Sequence, residues 1–192
     1  MHVSLDGSAI QVVEATTLEE LLDGLAPQIE PSRLVTHVEV DGATADSTDR
    51  AALARWRLGG AEAITIRTEA PRQFAAARRR EITGHLARIA DLLAAVVDGF
   101  TAGDSPGANR GLASAARELR LVLELDRRLV ALDGHPSLCS EIAETVRRVG
   151  PQLEAAERAR RWPEITSLLA DEVVPALRAA RRDGTDAASD PR

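Results

Sequence analysis

The chain has 192 residues, with 24 arginines, no lysine and 30 Asp plus Glu, for a formal net charge of −6 at pH 7. Apolar types make up 44 %, yet there are only two Phe, two Trp and no Tyr, and alanine fills 34 positions, so the core must come from Leu, Val, Ile and Ala. Plentiful aliphatics and near-balanced charge exclude collagen-like and fully disordered classes, and no apolar run reaches the roughly 18 residues a membrane-spanning helix needs.

Chain order begins with strand chemistry. His2 to Asp6 alternates with period two, placing Val3 and Leu5 on one face. Asp6-Gly7-Ser8 is turn chemistry, in which glycine supplies the positive φ of a tight hairpin, and Ala9 to Val13 returns as a second strand. Thr17 and Glu20 have the spacing of a capping box; Leu18, Leu21, Leu22 and Leu25 then give a short helix one apolar stripe, and Pro27 stops it. Leu34 to Val40 reads as a third strand turned by Asp41-Gly42. A polar loop leads to a last strand, Ala61 to Thr68, with Ile64 and Ile66 inward.

Strand, strand, helix, strand, loop, strand is the order of the ubiquitin-like β-grasp, and the stretch Val38 to Gly42 followed by a polar loop and a final strand resembles small sulfur-carrier and ubiquitin-like proteins. The resemblance covers the first third of the chain. Carriers of that type end in a free Gly-Gly tail activated at its carboxylate. Here Gly59-Gly60 lies inside the chain, before a strand and a helical region, so it reads as a loop and carrier activity is rejected.

Pro71 breaks the chain, and from Gln73 the apolar period changes from two to about 3.6. Ile82, Leu86, Ile89, Leu93, Val96 and Phe100 form a heptad seam, the strongest periodic signal in the sequence. Gly99, Gly103 and Pro106 close this helix around a loop at 101–107. A second helix, about Ala108 to Leu132, packs Leu112, Ala116, Leu119, Val122, Leu123, Leu129 and Val130, and Asp133 to Pro136 stops it. The third helix begins near Ser137 as its cap, carries Leu138, Ile142, Val146, Val149 and Leu153, and is expected to kink or break at Gly150-Pro151. Pro163 opens the last helix, which turns Ile165, Leu168, Leu169, Val173, Ala176 and Leu177 inward. Pro175 should bend it by deleting the hydrogen bond to Asp171, and Asp183-Gly184 should end it. Four such helices with short connections make an antiparallel up-down-up-down bundle. The segment Phe100 to Asp104 with the alanine- and leucine-rich helix after it resembles flagellin-type export chaperones, which are also helical bundles.

Chemistry is sparse. A di-iron bundle needs Glu-x-x-His on two helices; the nearest match is Glu81 with His85, His135 falls in a loop, and Glu141 to Glu144 lacks a histidine. His2, His37 and His85 have no ligand-spaced partner and read as surface or partly buried residues. Gly99, Gly103 and Gly107 lack the Lys and Ser or Thr of a phosphate loop, and no nucleophile motif is present. No metal or cofactor is expected. Cys139, the single cysteine, makes neither an intramolecular disulfide nor a thiolate zinc site; at a helix start it is either a small first-turn residue or a thiol acidified by the helix dipole.

Residues 1–70 carry 12 acidic and five basic side chains, and residues 71–192 carry 18 and 19. With four aromatics and no dense basic surface, nucleic acid is not expected as a partner. Arg78, Arg79 and Arg80 fan out around a helix and are expected to solvate the polar face or pair with the acidic N-terminal module. Arg158, Arg160, Arg161 and Trp162 form the one basic cluster beside a large aromatic. Arg158, Arg161 and Trp162 are therefore the candidate partner-binding residues, against the alternative of a helix junction in which Trp162 packs under Pro163.

The expectation is an α+β protein: a small β-grasp domain at 1–70, an antiparallel four-helix bundle at 71–184 and a disordered tail at 185–192. It is expected to be cytoplasmic, since Met1 to Gly7 lacks the basic start and apolar stretch of a signal peptide. The expected role is non-enzymatic: an adaptor or chaperone-like module binding a protein partner, with the bundle groove as the surface if it opens near Pro151 and Pro175. The alternatives are an enzyme with an inter-domain cleft near Asp41 to Asp49, or a homo-oligomer pairing through the first helix's heptad seam.

Overall fold

The computed structural model of the chain describes residues 1–11, 15–47, 49–61 and 63–187. The protein is α+β, a five-stranded sheet followed by long helices, in two compact units, Met1–Phe74 and Ala75–Arg192. Among the described residues no helix is long and apolar enough to cross a membrane.

In the first unit the elements are β1 (His2–Leu5), β2 (Ser8–Ile10), α1 (Leu18–Leu25), β3 (Leu34–Val40), β4 (Ala43–Ala45), α2 (Arg50–Arg55) and β5 (Ala63–Glu69). The sheet order is β2-β1-β5-β3-β4, with β1 parallel to β5 and every other pairing antiparallel. Both hairpins turn on Asp-Gly: Asp6 and Gly7 have φ of 50° and 83°, Asp41 and Gly42 of 49° and 83°. Two successive positive φ values define the turn whose twist matches paired strands, and Asp tolerates the first position. Thr17 caps α1 reciprocally with Glu20, as its spacing predicts. Leu18, Leu21 and Leu25 from α1 join Val3, Val38, Val40, Ile64 and Ile66 from the sheet in one buried core.

The polar loop expected between the third and last strands holds two further elements, β4 and α2. Asp49 caps α2 by accepting from the Ala52 amide at 2.9 Å, and Leu53 and Leu58 enter the core. Short apolar insertions in a polar stretch have no usable period, which is why the sequence pattern passes over them. The last strand begins at Ala63, not Ala61, and runs to Glu69. The second strand was expected to reach Val13; it ends at Ile10, and residues 12–14 lie outside the described residues. Gly60 turns with φ of +94° just before β5.

The helices are α3 (Pro71–Thr101), α4 (Ser105–Asp133), α5 (Ser140–Arg158), α6 (Trp162–Leu168) and α7 (Val174–Ala187), with a π-helical turn at Leu169–Val173. Pro71, just after β5, is the first residue of α3, where a missing amide costs nothing. Pro106 likewise opens α4 in place of closing the preceding loop, because Asp104 caps this helix from the Gly107 amide at 3.0 Å. All six residues of the α3 heptad seam are buried within the chain, so that row is not available for pairing between copies. Part of its cover comes from α4, where Gly111 leaves no room for a Cβ beside Val96, and part from Trp162, whose ring stacks on Phe100 with centroids 5.1 Å apart.

Three irregularities are expected along these helices, at Gly150-Pro151, Pro175 and Asp183-Gly184. α5 runs unbroken through Gly150-Pro151. Pro151 is solvent-facing, so the acceptor it leaves open, the Arg147 carbonyl, lies on the exposed side of the helix. Pro175 is accommodated by the π-helical turn before it, in which the Val174 amide donates to the Leu169 carbonyl; a wider turn is a standard way to absorb an interrupted ladder. Asp183-Gly184 does not end the last helix, which continues to Ala187, so residues 185–187 of the expected tail are helical and 188–192 lie outside the described residues.

Candidate functional site

Among the described residues, the second unit carries an apolar groove of about 820 Å³ along α4 and α5. α4 presents Leu112, Ala116, Leu119, Leu123, Asp126 and Val130 to it, at steps of four, three, four, three and four. α5 presents Ala143, Val146, Gly150, Leu153 and Glu157 at alternating steps of three and four. Each wall is thus a heptad row of the kind that normally meets a facing helix. Leu93 of α3 with Leu169 and Val173 of the π-helical turn also line it, and all three are buried. The walls are only half-covered: Leu112, Leu123, Val130, Val146 and Leu153 are intermediate in exposure. α5 is drawn instead toward α6, the π-helical turn and α7, with which it makes its close backbone contacts, and Arg148 of α5 pairs with Glu172 of that turn.

One end of the groove is polar and fixed. Asp126, in the apolar row of α4, is 2 % exposed. Its carboxylate accepts from the Ser137 hydroxyl at 2.5 Å, the Leu138 amide at 3.1 Å and the Cys139 amide at 3.3 Å. These donors form the entry to α5, so α4 caps α5 with a charge placed at the positive end of its dipole. Ser137 was expected to cap α5 itself; it sits earlier, and its hydroxyl oxygen accepts from the Cys139 amide at 3.1 Å while the hydroxyl donates to Asp126. Cys139 is the N-cap residue and is buried. Burial first and the neighbouring Asp126 charge second push its thiol up to about 12, which corrects the reading of a dipole-acidified cysteine: desolvation of the thiolate outweighs the helix dipole here.

Beside this end, Arg79 of α3 clasps Asp133 at the end of α4, Nη2 donating to Oδ1 at 2.8 Å and Nη1 to Oδ2. The guanidinium beside it is the main reason the Asp133 carboxyl is held down to about 2. Arg78 pairs with Glu81. Both of these contacts lie inside the second unit.

Of the predicted partner-binding residues, Arg158 lies in the last turn of α5 and pairs with Glu154 of its own helix at 3.2 Å. Arg161 precedes α6 and pairs with Glu164 at 2.8 Å. Trp162 is the first residue of α6, at its junction with α5, and is half-buried and stacked on Phe100. None of the three lines the groove. The wall residues Leu123 and Leu153 were legible as apolar helix positions, but not as uncovered ones, because periodicity reports which face is apolar and not whether a neighbour covers it. Asp126 carried a signal of its own: a charge in the middle of a heptad-spaced apolar row.

No family model, no curated protein and no solved structure matches the chain.

Proposed function

We propose that this protein is a non-enzymatic, cytoplasmic adaptor or chaperone-like module, a β-grasp unit joined to an antiparallel four-helix bundle, and that it holds a partner protein in the groove along α4 and α5. The observation that carries the reading is two heptad-spaced apolar rows left half-exposed on adjacent helices, over a floor of buried Leu93, Leu169 and Val173. Contiguous apolar surface of this kind on a protein otherwise rich in charge marks a binding site. The sheet order β2-β1-β5-β3-β4, with the first strand parallel to the last and α1 between β2 and β3, supports the β-grasp assignment. Single cysteine usage with a neutral, buried thiol fits a reducing compartment.

The test replaces wall residues. Leu123→Glu and Leu153→Glu should abolish co-purification of the partner recovered by the unaltered chain while leaving its helical circular dichroism in place. Leu121→Glu should not, because Leu121 is 70 % exposed and lies outside the groove. Equal recovery by all variants, or no specific partner for the unaltered chain, would overturn the proposal.

A further inference from the structure

Resting on that reading of the groove, we infer that its occupant is an amphipathic α-helix whose apolar stripe is edged by acidic side chains where it meets α4 and by basic side chains where it meets α5. Backbone chemistry selects the helix. Both walls are helices whose backbone groups are paired along the helix, save the Arg147 carbonyl that Pro151 leaves open on the solvent side, so an extended segment laid between them would bury N–H and C=O groups with almost nothing to receive them. A helix arrives with those bonds already made. Its apolar residues also recur at the three- and four-residue steps of the rows they must enter.

The rims select the flanks. On the α4 side, Glu124 is already held by Arg127 at 2.7 Å and Arg128 at 2.9 Å, and Arg120 is exposed and lacks a partner among the described residues. On the α5 side, Glu154 is held by Arg158, and Glu157 is exposed and lacks a side-chain partner among the described residues. The unspent charge is therefore positive on one wall and negative on the other. A fatty-acid-like ligand would answer Arg120 and leave Glu157 alone; a helix with opposed flanks answers both.

The experiment uses the full chain and three fluorescein-labelled 21-residue helical peptides with leucine at heptad positions a and d. Their flanking rows are respectively one acidic and one basic, both basic, and both acidic. Binding is read by fluorescence anisotropy at low salt. The opposed-flank peptide should bind tightest, by about two- to fivefold, the size expected of an exposed charge pair. Arg120→Glu should move the preference to the peptide with two basic flanks, and Glu157→Arg to the one with two acidic flanks. Preferences should vanish at high salt, where the screening length falls to about 3 Å. Equal binding of all three peptides, preferences unmoved by the substitutions, or binding of dodecanoate but of no peptide would each overturn the inference. If the peptides fail while Leu123→Glu still loses the cellular partner, only the helix assignment falls; if Leu123→Glu keeps that partner, the groove reading falls with it.

Discussion

Replacing Asp126 with alanine isolates the contact that joins α4 to the start of α5. The carboxylate is buried and receives three donors, the Ser137 hydroxyl and the Leu138 and Cys139 amides. Bonds to a charged acceptor contribute about 1.5–3 kcal/mol each, so three represent roughly 4.5–9 kcal/mol gross. Removing a buried charge returns several kcal/mol of desolvation, and the Cys139 amide keeps the Ser137 oxygen as an acceptor. The net expected loss is about 2–4 kcal/mol, within the range seen when one partner of a buried network is deleted. Urea unfolding followed by Trp162 fluorescence in a Trp56→Phe background reports on the helical unit, because Trp162 stacks on Phe100 there. With an m-value of about 2 kcal/mol/M the midpoint should fall by roughly 1–2 M. Asp126→Asn, which keeps one acceptor oxygen, should lose less. A loss below about 1 kcal/mol for Asp126→Ala would refute the argument that this carboxylate caps α5.

The remaining stability and reactivity predictions follow from the same end of the helices. Asp133 has a folded-state pKa below its ordinary value, so its pairing with Arg79 stabilises the fold fully above about pH 4 and is lost as pH falls through about 2. A depression from 3.8 to about 2 corresponds to at most about 2.5 kcal/mol. Urea midpoints measured from pH 5 to pH 2 should therefore fall less steeply for Asp133→Asn than for the unaltered chain; parallel curves would contradict the assignment. Cys139, with its thiol pushed up to about 12, should be about one part in ten thousand thiolate at pH 8. It should resist Ellman's reagent in the folded chain and react fully in urea. Rapid labelling without denaturant would show that the α5 entry is open.

What the sequence made legible was whatever repeats or caps locally. The Leu34–Val40 strand, the Thr17–Glu20 box, the two Asp-Gly turns and the six-residue seam of α3 all follow from spacing and side-chain chemistry alone. Prolines misled in two places, each for a physical reason. Pro106 occupies a first turn, where no amide is needed, and Pro151 sits on a solvent face, where the carbonyl left open is exposed. The site was legible only in part. Leu112, Leu123, Val146 and Leu153 are legible as apolar helix positions, but the expected opening of a groove at kinks near Pro151 and Pro175 is not how the walls come apart: α5 runs through Pro151 and packs toward α6 and α7. That choice is tertiary and leaves no periodic trace. Arg158, Arg161 and Trp162 drew notice as a cluster because they are neighbours in sequence, yet each finds its partner locally or on Phe100.

The proposed role requires that a partner bind in the groove along α4 and α5. The most direct measurement is site-specific photocrosslinking in the source cells, with a photoreactive residue at position 123 on the α4 wall, at 153 on the α5 wall, or at 121 on the exposed face of α4. The same discrete protein adduct is expected from positions 123 and 153, and none from 121. Adducts at 121 with none at either wall position would contradict it.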